Sequence, residues 1–454
     1  MKTINDSQIQ SVLQLFSTIH KEAWLVGGCV RDMLMGRELH DYDITTDATP
    51  YEVMALFQEK GYRVIPTGLK HGTVTVLVQD EPIEITTYRT ESAYTNHRSP
   101  EAVRFTPDID EDLKRRDFPM NAIAWHPKRG FHDPYQGQAD IAKKTIRCVG
   151  KASERMQEDA LRILRALRFH CTLHFTIEEE TVQAIRTHAH LLSYISRERI
   201  REEFNRILLQ DYPDTLQLLK EMRVLDTIAA GYTKLMNKEQ NNPWHIYDVF
   251  THTDVALNHT KGMALEGKLA IIFHDTGKPA CETLDADGIS HYYGHAQKSV
   301  ELARCWLKKL HYDNRTIQRV LRCIAYHDYN LTPKKSTLRR YLSKFDNQLE
   351  DALLALDVQL ADQLAKNPEP AANGVRIIRQ CKELLLHMHA EEEPLSLQTL
   401  AVNGRDMMDF GLCGKQIGTA LHMLLDYAMQ DPSRNTKKQL IEELNRKCQN
   451  LHNA

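Results

Sequence analysis

Twenty-two residues constrain this chain more than any other stretch: LVGGCVRDMLMGRELHDYDITT, Leu25 to Thr46. The apolar run Trp24–Val26 predicts a short strand ending at Gly27–Gly28, where a missing Cβ lets backbone approach a phosphate closely. A helical piece follows over Val30–Leu34, then a break at Gly36. The next element carries Asp41 and Asp43 with one residue between them. In a strand such residues point the same way, so both carboxylates face one site. Side by side they repel unless a cation lies between them, and Mg²⁺ carrying a nucleoside triphosphate is the natural cation. Asp-x-Asp alone is ordinarily a turn and Gly-Gly alone a loop. Their order and spacing after a strand are what suggest a site.

The rest of the chain must supply a scaffold for that site. Its 454 residues have room for about two to four domains. At 42% hydrophobic and 26% charged, it has the balance of a globular chain and not of a disordered one. A net charge of −3 excludes a strongly basic nucleic-acid coat but leaves room for a local basic groove. The nine cysteines include no C-x-x-C pair, so neither a zinc ribbon nor a disulfide framework is indicated, and a reducing cytoplasm is expected. The N-terminus MKTINDSQIQSVLQLF has an amphipathic helical pattern and lacks a signal peptide's apolar core. No 18-residue apolar run occurs, so no membrane segment is expected.

Residues 1 to about 150 read as mixed α and β. A helix is predicted over Tyr51–Lys60 and strands over Tyr62–Ile65, Thr73–Val78 and Pro82–Thr87, with a hairpin turn at Gln79–Glu81. Glu84 in the last strand can align beside Asp41 and Asp43, giving the third carboxylate of a phosphoryl-transfer site. The polar stretch Arg89–Phe105 reads as a mobile loop. In DIDEDLKRRDFPMNAIAW, Asp112, Arg115 and Arg116 stand at helical spacing before Asp117. Arginines beside carboxylates suit a triphosphate, which the guanidinium grips as a fork, and Asn121 is a candidate donor to sugar or phosphate.

Residues 151 to about 225 read as helical. In ERMQEDALRILRALRF, Leu161, Leu164, Leu167 and Phe169 form an apolar stripe. Glu158, Asp159, Arg162 and Arg165 lie on adjacent faces. An ion-paired surface is the plain reading. The functional one is base selection: Asp accepts from the exocyclic amine of cytosine or adenine and Arg donates to their ring acceptors. Uracil and guanine present the opposite pattern, and each such contact discriminates by about 1–3 kcal/mol. Ile195–Leu208 reads as a bracing helix.

From about residue 226 the chain is again helical by pattern, with His252, the pair His274–Asp275, His295, His327 and Asp362 near apolar runs. Imidazole and carboxylate suit a divalent transition metal and hydrolysis. His245, His259, His291 and His311 are given no role. The basic stretch Lys334–Lys344 can meet RNA phosphates or simply face solvent. Asn367–Asn373 (NPEPAAN) reads as an internal linker.

GGCVRD with DYD, then RRDFPMNAIAW, then EDALRILRALRF resembles the class II tRNA nucleotidyltransferase and poly(A) polymerase family. VFTHTDVAL, FHDTGKP and HYYGHAQKSVELA resemble the HD region of bacterial CCA-adding enzymes. The resemblance implies an α+β architecture: a nucleotidyltransferase head (1–150), a helical neck (151–225), an HD-type helical domain (226–370) and a helical body or tail (371–454). It implies that Asp41 and Asp43 hold Mg²⁺ and that Gly27, Gly28 and Arg31 lie at the triphosphate. Arg115, Arg116, Asp117 and Asn121 would contact the nucleotide, while Asp159 and Arg162, with Arg165 nearby, would form a protein template for C and A. His252, His274, Asp275 and Asp362 would ligate one HD metal (Mn, Ni, Fe or Mg), with His295 and His327 available for a second. One departure is Pro119, where such enzymes usually carry Thr. The expected activity is addition and repair of the tRNA CCA end from CTP and ATP in the cytoplasm, with an accessory HD phosphohydrolase. The alternatives are an A-adding enzyme, a poly(A) polymerase, or an HD phosphodiesterase or phosphatase on RNA ends. The retained Arg89–Phe105 segment favours full CCA addition over a CC-only enzyme.

Overall fold

A computed structural model describes residues 6–39, 41–91, 94–95, 99–100, 103–390 and 397–452. The chain divides into two compact units. The first comprises residues 1–210 and 218–228, the second residues 211–217 and 229–454.

The first unit is built on a seven-stranded sheet. Its strands are β1 (Ala23–Val26), β2 (Tyr42–Thr46), β3 (Arg63–Gly68), β4 (Thr73–Val78), β5 (Glu81–Thr87) and the pair Ala124–His126 and Gly130–His132. The order is Gly130–His132, Ala124–His126, β1, β2, β5, β4, β3. Only β2 and β5 run parallel among these pairs. Alternation along the strands sorts the two faces. Leu25, Ile44, Val74, Val76, Ile83 and Ile85 point to a core closed by helices α1 (Asp6–Ser17), α2 (Gly28–Leu34) and α3 (Pro50–Glu59). The opposite face carries Asp43, Thr45 and Glu84. The tight β4–β5 turn puts Gln79 at φ 53° and Asp80 at φ 69°, the left-handed pair that a two-residue hairpin needs. Helix α3 starts on a reciprocal capping box between Thr49 and Glu52, with Pro50 in its first turn.

Three expectations change here. Asp41 precedes β2 and does not belong to it. The Arg89–Phe105 segment is paired in its described parts, Arg89–Glu91 with Val103–Phe105 and Tyr94–Thr95 with Ser99–Pro100; residues 92–93, 96–98 and 101–102 lie outside the described residues. Glu158 to Phe169 is not one helix. One helix covers Ala152–Glu158 and the next Leu161–Leu173, with Asp159 extended between them at φ −131°, ψ 101°. The Asp159 carboxylate accepts from the Leu161 amide at 3.0 Å, satisfying a donor that the start of a helix leaves open.

The second unit is almost wholly helical. Its central helix, Leu265–Phe273, is buried from Gly267 onward, as a helix surrounded by others must be. Val249–Asn258, His295–Lys309, Asn314–Ala325 and Leu349–Leu364 pack around it. The expected linker at Asn367–Asn373 is instead the start of a 23-residue helix, Pro368–Ala390. Proline is tolerated at a first helical position because that amide has no intrahelical partner.

Candidate functional site

The acidic face of the first unit's sheet opens into a cleft of about 640 Å³. Gly27, Gly28, Arg31, Asp43, Arg115, Arg116, Asp117, Asn121, Asp159, Arg162 and Arg165 all line it. Parallel pairing sets Asp43 opposite Glu84, and antiparallel pairing sets Val26 opposite Asp43, which brings Gly27 over the acid. Gly27 sits at φ 78°, and a Cβ there would meet the Arg116 guanidinium at 3.3 Å and the Asp43 carboxylate at 3.5 Å. Asp43 is half-buried, whereas Asp41 and Glu84 are exposed and stand outside the cleft wall. Burial pushes Asp43 up to about 6, the charges of Glu84 and Asp41 push the same way, and only Arg116 opposes them. A carboxylate that resists ionisation among other carboxylates fits a divalent cation.

The basic wall is held by a buried acid, Asp112. Its Oδ1 accepts from Arg115 Nε at 2.9 Å and Nη2 at 2.8 Å, and its Oδ2 lies 3.6 Å from Arg116 and accepts from Thr45 at 3.1 Å. Arg116 Nε is buried with no partner among the described residues, an orphan donor that an anion in the cleft would satisfy. Asp117 forms the second node. It accepts from Arg165 Nε at 2.7 Å and from the Asn121 amide at 3.3 Å, and Asn121 in turn accepts from Arg31 at 2.8 Å. Burial raises Asp117, yet Arg165, Arg162 and the Asn121 hydrogen bond together outweigh it and hold the carboxyl below the usual range.

Asp159 and Arg162 both reach the cleft, but not as a mutual pair. Asp159 is bridged by Arg199 at 3.2 Å. Arg162 is buried and donates to Glu158 at 2.8 Å and to the carbonyls of Arg155 and Arg115 at 2.9 Å each. Sequence reasoning missed Arg168, Phe169 and Arg199, which also line the cleft. Phe169 is a platform for three guanidinium groups, Arg168 at 4.2 Å, Arg31 at 5.1 Å and Arg165 at 5.6 Å. The signal was present: Leu161, Arg165, Arg168 and Phe169 recur at spacings of four, three and one along one helix face.

The second unit holds a different kind of site. The Nε2 atoms of His252 and His274, with one oxygen each of Asp275 and Asp362, lie within 4.8 Å of one another, and all four residues are buried. The same limit holds for Asp275, His295 and His327. Asp275 joins the two sets, Oδ2 lying 3.2 Å from His274 and Oδ1 3.3 Å from His295. Each imidazole places Nδ1 against a carbonyl: Ala365 at 3.3 Å, Ile271 at 2.7 Å, Tyr292 at 2.8 Å and Ile324 at 2.7 Å. A carbonyl only accepts, so Nδ1 carries a proton and Nε2 is the nitrogen turned inward, the orientation that metal ligation needs. Burial lowers His252, and lowers His327 to about 4. Burial also disfavours charge on His274, but the Asp275 and Asp362 carboxylates outweigh it and raise that imidazole to about 9. Burial raises Asp275 and Asp362, but His274 with Lys278, and Lys366, hold them well below the carboxylate range. Gly277 permits a close approach here. A Cβ there would fall 2.4 Å from the His295 carbonyl and 2.7 Å from the Ser299 amide. His245 and His291, given no role from sequence, line the cleft of about 690 Å³ above these donors.

The sheet, its acidic face and the guanidinium wall have counterparts among known proteins. Residues 23–147 match the Poly A polymerase head domain, and residues 174–234 match the probable RNA and SrmB-binding site of polymerase A. A CCA-adding enzyme of Bacillus cereus (strain Q1) is 47% identical over 212 residues, 47% of this chain and 52% of that protein. One of Bacillus anthracis (strain CDC 684 / NRRL 3495) is 48% identical over 202 residues, 44% of this chain and 50% of that protein. The match thus spans about half the length of these curated relatives. The solved Bacillus stearothermophilus CCA-adding enzyme in complex with CTP is 27% identical with a TM-score of 0.71, covering 98% of this chain and 100% of that one.

Proposed function

We propose that this chain is a template-independent tRNA nucleotidyltransferase that adds and repairs the 3′-terminal CCA of tRNA from CTP and ATP. The observation that carries this reading is the single cleft in which Gly27 and Gly28, the Asp43 carboxylate and a buttressed guanidinium wall meet Asp159 and Arg162. Its likeness to CCA-adding enzymes, one of them solved with CTP, supports it.

Asp41 and Asp43, with Glu84 beside them, would hold Mg²⁺, which supplies activation of the attacking 3′-hydroxyl and neutralisation of the leaving pyrophosphate. The glycine main chain gives the triphosphate room, Arg115 and Arg116 take its charge, and Arg31 and Asn121 orient the nucleotide. Arg165 steadies Asp117. Asp159 accepts from the exocyclic amine of C or A beside the fixed guanidinium of Arg162, and U and G offer no donor there. Affinity for tRNA comes from phosphates and shape and falls with salt. We place the reaction in the cytoplasm, with tRNA.

The test uses one tRNA lacking its last three nucleotides and another ending in CC, each given labelled CTP, ATP, UTP or GTP with Mg²⁺. Incorporation of two C and then one A, lost in Asp41→Ala/Asp43→Ala, is expected. Addition of A alone, only to the CC-ended tRNA, would make the chain the A-adding half of a pair.

A second activity is favoured by the two donor sets that share Asp275. We read the second unit as a metal-dependent phosphoester hydrolase, with His252, His274, Asp275 and Asp362 on one divalent ion and His295 and His327 completing a second. Release of phosphate from RNA ends bearing 2′- or 2′,3′-cyclic phosphate, with Mn²⁺, Ni²⁺, Fe²⁺ or Mg²⁺ and lost in His274→Ala, is its test.

A further inference from the structure

Large aromatic rings left in water at the mouth of a polar cleft ask for an occupant. Trp244 is 53% exposed and Tyr293 80% exposed, and both line the cleft that also holds Asp275, His295, His327 and Asp362. Neither ring hangs from a loose segment. The Trp244 carbonyl accepts from the Asn367 amide at 2.9 Å, the Pro243 carbonyl accepts from the Asn367 side chain at 3.1 Å, and the Trp244 amide donates to Asn242 at 3.0 Å. Asn367 lies three residues beyond the metal-donor helix Leu349–Leu364. Tyr293 is two residues before His295, and the Tyr292 carbonyl accepts from both the amide and Nδ1 of His295. Its ring lies parallel to that of His291, 5.6 Å between centroids at 4°. Main chain is therefore pinned at both places while the rings stay open, and both are tied to the elements that carry the metal donors.

We propose that Trp244 and Tyr293 form a base-stacking platform, so that this cleft takes a nucleotide phosphate, its base on the rings and its phosphate at the two donor sets. The inference rests on the hydrolase reading of the second unit and specifies its substrate class. About 690 Å³ holds a nucleotide. Stacking accepts every base, because each presents a π face. The cleft therefore discriminates nucleotides from phosphoesters that lack a ring, and discriminates little among bases. Free nucleotides and RNA ends share this chemistry.

The experiment uses the full chain loaded with Mn²⁺. The probes are adenosine 2′-monophosphate, a short RNA ending in the same 2′-phosphate, and glycerol phosphate as a ringless control. Trp24 and Trp306 are buried and Trp125 is half-buried, so emission from exposed Trp244 reports the mouth. The nucleotide should quench emission in the wild type and not in Trp244→Phe. Trp244→Ala and Tyr293→Ala should each raise KM for the nucleotide about 5- to 100-fold, the range that one stacked base supplies, with glycerol phosphate hydrolysis unaltered. A KM shift for the mononucleotide and the RNA, or for the RNA alone, supports the platform and tells which source it serves. Quenching retained in Trp244→Phe, or KM unchanged in both alanine variants, overturns the platform and leaves the hydrolase reading standing. A wild-type protein that takes up no Mn²⁺ and releases no phosphate overturns both.

Discussion

The two clefts handle charge in opposite ways. In the first unit one half-buried carboxylate stands beside two exposed ones under a wall of arginines, and burial with like charge holds Asp43 near 6. In the second, His252, His274, Asp275 and Asp362 are all buried, and four carbonyls fix the histidine tautomers. On the proposed reading, the first arrangement would leave its acids open to a cation arriving with a triphosphate, with counter-charges ready for the phosphates. On the same reading the second would offer an ion four donors already gathered. A site that must admit and release a bulky charged substrate keeps its ligands wet. A site that must retain its ion buries them and orients them from the main chain.

Removing the acids should separate the two sites most sharply. Asp41→Ala/Asp43→Ala is expected to lower nucleotide addition by on the order of 10³-fold or more while phosphate release by the second unit persists. His274→Ala/Asp275→Ala should do the reverse. Parallel incorporation and phosphate-release assays decide, and a double loss from either variant would mean that the sites are not separable.

Gly277→Ala should strike only the second unit. Its Cβ would overlap the His295 carbonyl, so the helix carrying His295 must move, costing about 1–3 kcal/mol. Bound metal should fall toward one ion per chain by elemental analysis, with nucleotide addition intact.

Asp117→Asn probes the first unit's buttress. Losing the charge-assisted bond to Arg165 should cost about 1–3 kcal/mol at neutral pH. Because the folded state holds this carboxyl below its ordinary 3.8, its contribution is present above that value and fades as pH falls through the depressed one. Thermal unfolding of wild type and variant should therefore differ at pH 7 and converge in acid.

The smallest effect concerns thiols. Cys29 is buried and pushed up to about 11 by burial, and Cys323 to about 12, whereas Cys305 and Cys413 are exposed. A thiol reagent at pH 7.5 should label the exposed pair first. Cys29 and Cys323 should then react at rates set by local opening, which compares the rigidity of the two units directly.

How much of this was readable along the chain depended on the range of the interaction. The strand Thr73–Val78 was legible to the residue, because period-two alternation is local. The glycine break ahead of the acids was legible at Gly27, whereas Gly28 already opens helix α2. The break at Asp159 was not. Residues 158–169 have a helical pattern throughout, and what ends one helix there is a side chain satisfying the first amide of the next, alongside a bridge to Arg199 forty residues on. Along the chain Asp112 was one charge at helical spacing with Arg115 and Arg116, and its role as the buried anchor of both arginines comes from packing against Thr45 of β2.

By itself the sequence determined which residue types were on offer: two acids after a Gly-Gly turn, a run of arginines, and histidines near apolar helices. The tertiary structure alone decided which of them meet. Parallel pairing of β2 with β5 brought Glu84 to Asp43, and packed helices brought His252 to Asp362, 110 residues apart. It also drew His245 and His291 into the lining of that cleft. Propensity and periodicity are properties of a few consecutive residues, whereas a shared site is a property of register and packing between segments that are distant along the chain.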